Sequence, residues 1–202
     1  MADIPDSTID NRPPTLREFF ATDVFTVKTI TVLAVFLAIR TILAMPPITL
    51  FIGGVKVITF THVTNAIIAM YFGPIAAVAF GFAGDPLGFM ASNGTGGGYF
   101  PPYAISEIVT GFLFACFFFK RKVTLPRIIF AWFFNLFIVL LGLNSLWMIL
   151  RGIPMTSEIE FFGSSFTLIQ LRLVINLIQS PLQIYIVYLL LTRIRKLDRF
   201  IR

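Results

Sequence analysis

The sequence is short of charge: 13% of its 202 residues are Asp, Glu, Lys or Arg, where a soluble domain carries about 25%. So little polar surface cannot cover a globule in water. One cysteine, Cys116, sits in an apolar run, which excludes a disulfide framework and a thiolate metal cluster. There is one histidine, His62, and no metal-ligand cluster, so no metal is expected. A nucleophile elbow and a Walker A run are both missing, so neither catalysis, ATP hydrolysis nor a cofactor is expected. The net charge of +6 and pI near 9.8 have no soluble basic face to act from, which argues against nucleic acid. Residues 1–23 are polar and hold five acids, unlike a cleavable signal peptide, and read as a short cytoplasmic tail or surface helix.

What the chain has is apolar length. It is 57% hydrophobic with mean hydropathy +0.88, and a bilayer-spanning helix needs about 20 such residues. Six runs meet this need, at 29–45, 57–72, 74–90, 103–119, 125–150 and 166–191, with sharp breaks at Pro46-Pro47 and Gly73-Pro74. The expected fold is an all-α integral membrane protein, a six-helix transmembrane bundle with both termini cytoplasmic. Residues 1–28 form a short N-terminal segment, 29–192 the membrane domain and 193–202 a basic tail. The orientation follows from the basic residues. Of the 16 Lys and Arg, 12 fall on the side of the termini, among them Lys120, Arg121, Lys122, Arg127 and Arg193. The loops at 46–56, 91–102 and 151–165 then face outward.

A charge near the bilayer centre costs several kcal/mol, which makes intramembrane ionisable groups candidates for function. Counting about 1.5 Å per residue, Arg40, Asp85, His62 and Arg172 all fall in the outer half of the membrane. So do Asn144 and Trp147, near the outer end of the fifth run. Arg172, Asn176, Gln179 and Gln183 recur at helical spacing as one stripe, which must face the bundle interior rather than lipid. Asn144, Trp147 and Arg151 share a face, as do Thr59, His62 and Asn65. These groups either satisfy one another between helices or line a pocket open to the outside. Arg40 and Asp85 could pair. Small residues form steps at Ala34 and Ala38 on the first run, and at Gly81, Gly84 and Gly88 on the third. Such steps let helices approach closely, within the bundle or between subunits.

From Phe72-Gly-Pro74 through Gly81-x3-Asp85-x2-Gly88, Gly98-Tyr-Phe-Pro101 and Asn144-Ser-Leu-Trp147 to Arg172 and Pro181-Leu-Gln183, the sequence resembles the folate family of S components. These are the substrate-capturing subunits of energy-coupling-factor (ECF) transporters. Pro102 stands where the family usually has glycine, Glu107 lies in a stretch that is typically small and apolar, and Asn176 replaces a residue that is often basic.

The resemblance implies high-affinity capture of folate from outside a bacterial cell, without chemistry. The partners would be a membrane coupling subunit (EcfT), which the Ala34 and Ala38 step resembles a docking motif for, and two ATPases (EcfA and EcfA′). Folate needs an aromatic slot, which Tyr99, Phe100, Tyr103 and Trp147 could supply. An acid, Asp85 or Glu107, could accept from the pterin edge. A bidentate cation, Arg172, Arg151 or Arg40, could hold the glutamate tail. Asn144, His62 and Gln183 complete the candidate binding set. The glycine-rich loop at 91–99 and the loop at 46–54 are candidate lids. Alternatives are an S component for riboflavin, pantothenate or a queuosine precursor, or a stand-alone carrier.

Overall fold

The computed structural model describes residues 19–20, 26–46, 48–52, 55–92, 98–152, 158–161 and 164–201. Most of the N-terminal segment, the centre of the 91–99 loop and Gly53-Gly54 lie outside these described residues. Helix α1 runs Val27–Leu43, α2 Thr61–Ala91 and α3 Pro102–Phe118. The next span is composite: α4 (Leu125–Phe134), a π-helical stretch (Asn135–Leu143) and α5 (Asn144–Leu150). The last helix, α6, runs Leu168–Ile201.

Two antiparallel hairpins interrupt this helical pattern where plain loops were expected. Strands β1 (Leu50–Ile52) and β2 (Val55–Ile58) pair as Phe51↔Lys56 and Ile52↔Val55, with a bulge between Leu50 and Phe51. Strands β3 (Glu158–Phe161) and β4 (Ser164–Thr167) pair from Glu158↔Thr167 to Phe161↔Ser164. Val57 and Phe166, assigned to helices from hydropathy, are therefore strand residues, because their β-branched and aromatic neighbours suit a pleated ribbon. At the other end, α6 continues into the basic segment expected to be a tail.

Helix α2 is a hairpin of two arms. Gly73 breaks it with φ 80° and ψ −172°, a backbone conformation that costs a side-chain-bearing residue dearly. Pro74 follows at the first position of the second arm, where its missing N–H does no harm. The contacts demonstrate the reversal. Asn65 reaches the Glu107 side chain, and Gly81, sixteen residues later, lies against the Glu107 backbone. In one continuous helix those two residues would stand about 24 Å apart.

The second arm is wedged between α1 and α3 by its glycines. A Cβ at Gly81 would lie 2.5 Å from the Glu107 carbonyl oxygen, and one at Gly84 would strike the Arg40 side chain. From the other side, a Cβ at Gly111 would lie 2.5 Å from the carbonyl oxygen of Ala77. The small-residue step seen in the sequence is thus used inside the subunit. Around this contact the core packs Val63, Ala66, Met70, Ala77, Phe114, Phe118, Ile128, Trp132, Val187 and Leu191. Phe114 stacks on Trp132, with centroids 5.8 Å apart.

The outer faces are apolar. Val35, Ile39, Phe82, Met90, Phe130, Phe133, Ile149, Leu177, Ile178 and Leu182 are all exposed. Three helical stretches, Thr61–Ala91, Leu125–Leu150 and Ile169–Ile194, are long and apolar enough to cross a membrane, and Thr29–Leu43 and Pro102–Phe118 are shorter apolar helices. These are the features of a helical membrane protein, in which exposed apolar side chains suit a lipid surround.

Gly81→Ala and Gly111→Ala should each lower stability by about 1–3 kcal/mol through backbone separation, read as a fall in the thermal midpoint of the detergent-purified protein. Gly98→Ala, where a Cβ meets nothing within 4 Å, is the control. Equal midpoints for all three would refute the close approach.

Candidate functional site

The polar residues assemble at two levels. The inner level is an ion pair. Arg40, 3% exposed, donates from Nη2 to Glu107 Oε2 at 2.7 Å and from Nη1 to the Asn65 side-chain oxygen. Asn65 Nδ2 donates to the same Glu107 oxygen at 3.0 Å. The guanidinium also lies 5.6 Å from the centre of the Phe80 ring. Three helices are joined here by a closed triangle of hydrogen bonds. Arg40 thus pairs with Glu107, where the sequence had suggested Asp85. The reason is geometric: the α1 side chain passes across Gly84, where a missing Cβ opens the route to α3.

The outer level gathers around Arg172 on α6. This side chain is 6% exposed, yet its Nη1 meets only the thioether of Met148, and its Nε has no partner. Among the described residues it has no acidic partner. Tyr103, in the first turn of α3, is within electrostatic reach of Arg172, Arg151 and Asp85, and hydrogen bonds with Arg151. Arg151, at the end of α5, also donates from Nη2 to the Gly98 carbonyl at 2.9 Å. On the opposite side, Asp85 accepts from the Tyr99 phenol, whose pKa is pushed up to about 12 by burial and then by the Asp85 charge and hydrogen bond. The phenol is therefore a protonated donor at neutral pH. Tyr99 packs on Phe89 at 5.3 Å, and Phe100 meets Tyr103 edge-on at 5.7 Å.

The π-helical stretch brings Asn144 and Trp147 to this level. Along the span, Ile128, Trp132, Asn135 and Val139 are buried at α-helical spacing. A straight α-helix would next turn Leu143, Leu146 and Leu150 inward. Instead the Asn144 N–H bonds to the Val139 carbonyl, five residues back. The wider turns shift the inward face along the chain, so Ser145 and Met148 are buried while Leu146 and Leu150 are exposed. Trp147 Nε1 then donates to Ser106 Oγ at 3.0 Å, and Asn144 Oδ1 and Ser145 Oγ are buried without partners.

The remaining candidates are engaged in holding helices together. Gln179 and Gln183 both donate to the Thr59 carbonyl, at 3.1 and 2.6 Å. Asn176 bonds back to the Arg172 carbonyl within α6. His62 stands edge-on to Trp132 at 5.8 Å, a packing contact. Ala34 and Ala38 are exposed on α1. Met148, Ser106 and Ser145 join the site without a signal in the sequence. Only the π-helical shift singles out Met148 and Ser145, while Ser106 declares itself by its bond to Trp147.

Comparison with known proteins gives a consistent picture. Residues 28–191 match the family model described as "ECF transporter, substrate-specific component". The folate transporter FolT of Clostridium novyi (strain NT) is 33% identical over 96 residues, which is 47% of this chain and 55% of that relative. This alignment spans only about half the relative's length. FolT of Leuconostoc mesenteroides is 27% identical over 135 residues, 66% of this chain and 70% of the relative. Among solved structures, that of FolT bound with folic acid superposes with a TM-score of 0.66 at 24% identity, covering 81% of this chain and 91% of the other. That likeness is one of fold.

Glu107→Ala leaves Arg40 buried beside Asn65 alone and should cost about 3–5 kcal/mol. Arg40→Met combined with Glu107→Leu removes both charges and should be more stable than the single variant, measured by thermal unfolding in detergent. A double variant no better than Glu107→Ala would show that the charge pairing is not what matters there.

Proposed function

We propose that this chain, which belongs to the family of ECF transporter substrate-specific components, captures folate from outside the cell. The observation that carries the reading is Arg172: a guanidinium almost wholly buried, with no acid partner among the described residues, beside aromatic side chains. An isolated buried charge costs several kcal/mol. A ligand carboxylate would offset that cost through a bidentate bond in a place closed to bulk water. The folate transporters among its relatives supply the identity of the guest.

In this reading α1, the two arms of α2, α3, the composite span and α6 cross the bacterial cytoplasmic membrane as six helices, with both termini inside. The basic residues at 120–127 and 193–202 support that orientation. The outer level then opens to the exterior. Tyr99, Phe100, Tyr103 and Trp147 offer surface for a flat heteroaromatic ring. Asp85 and the unpartnered oxygen of Asn144 can accept from its amino and ring N–H groups. Glu107 and Arg40, occupied with each other, hold the helices in place and leave ligand contact to the outer level. Arg151, Gln183 and His62 take supporting roles.

Transport would come from assembly with a membrane coupling subunit and two ATPases, since the chain has no nucleotide-binding run of its own. Exposure of Ala34 and Ala38 on α1 supports their use as a docking face.

Arg172→Ala should weaken folic acid binding at least about a hundredfold, as expected when a buried charge pair is broken, while the protein remains folded in detergent. Titration calorimetry measures this, and unchanged affinity would remove Arg172 from the site. Ala34→Leu with Ala38→Leu should keep folic acid affinity and abolish co-purification with the coupling subunit. A double variant that still assembles would disprove the docking face.

A further inference from the structure

Residues 98–101, Gly98-Tyr-Phe-Pro101, form a strap between α2 and α3 that is fastened on both sides. Toward α5, Arg151 holds the Gly98 carbonyl at 2.9 Å and the Tyr103 hydroxyl with the same side chain. Toward α2, Asp85 holds the Tyr99 hydroxyl and Phe89 packs against its ring. The fastenings are charge-assisted, which makes them shorter and stronger than neutral hydrogen bonds. A glycine carbonyl is a weak anchor by itself, so the forked guanidinium, reaching two acceptors at once, supplies the rigidity. Phe100 lies between the two anchors, edge-on to Tyr103 beside Arg172.

We infer that Arg151 is a positioning residue: it clamps the 98–101 strap across the mouth of the Arg172 pocket and sets the rate at which a bound guest leaves, without touching the guest. The inference rests on the pocket reading above and goes beyond it by separating two arginines with different work. Arg172 is buried and, among the described residues, lacks an acidic partner, as a ligand-binding cation should. Arg151 sits at the helix end with its bonds already given to the strap and to α3.

The test uses the full chain in detergent and two readouts. Without ligand, hydrogen exchange of the Tyr103 and Ala104 amides, which bond to the Phe100 and Pro101 carbonyls of the strap, should speed up about tenfold in Arg151→Ala, the size expected for losing one hydrogen bond to a charged group. Exchange within Thr61–Met70 should be unchanged, and Arg151→Lys should fall between. With ligand, dissociation followed by tryptophan fluorescence should also speed up about tenfold. The factor should be the same for folic acid and for pteroic acid, which lacks the glutamate tail. Unchanged exchange at Tyr103 and Ala104 would overturn the inference. Acceleration confined to folic acid would also overturn it, by making Arg151 the partner of the tail carboxylates. Failure of the wild-type protein to bind either compound would refute the folate reading instead, and the exchange measurement would still decide the role of Arg151.

Discussion

The pairing of Arg40 with Glu107 sets the terms for the rest of the molecule. Both are charged groups within a helical bundle whose outer faces are apolar, and neither can be left alone there. Their union, closed by Asn65, fixes α1, the first arm of α2 and α3 at one level. It also leaves that cation and that acid occupied with each other. Arg172 remains a buried cation with no acidic partner among the described residues. In the proposed reading, preference for a negatively charged ligand follows from which charges neutralise each other within the protein.

Close backbone contact makes that pairing reachable. The second arm of α2 meets α3 through Gly81 and Gly111, and gives passage to the Arg40 side chain over Gly84. With bulkier residues the helices would stand off, and a guanidinium on α1 would not span the distance to an acid on α3. The π-helical stretch acts in a similar way further along. By widening one segment it turns Trp147 and Met148 toward α3 and α6, and sends leucines to the lipid. A polar, aromatic site is thus obtained from a span whose sequence is mostly leucine, isoleucine and phenylalanine. π-helical segments are uncommon and tend to occur at functional positions, which fits the placement here.

Much of this architecture could be read before any coordinates. Hydropathy and the basic residues marked the apolar spans, Gly73-Pro74 marked the reversal, and the stripe from Arg172 to Gln183 identified an inward face. Those features are local: they depend on composition within a few turns and on the aversion of lipid to polar groups. Gln179 and Gln183 were recognisable as interior residues in the same way. Their common partner, the Thr59 carbonyl, was not, because it lies 120 and 124 residues away.

By itself the sequence determined that the chain belongs in a membrane, roughly where its helices begin and end, and which side chains are too polar to face lipid. It suggested Asp85 as the acid beside Arg40, where the structure pairs Glu107. It could not foresee the hairpins, or the π-helical shift that buries Met148 in place of a leucine. Those were left to the tertiary structure. Charge pairing acts across helices over distances set by backbone approach, and the register of a span depends on hydrogen bonds that no residue type dictates.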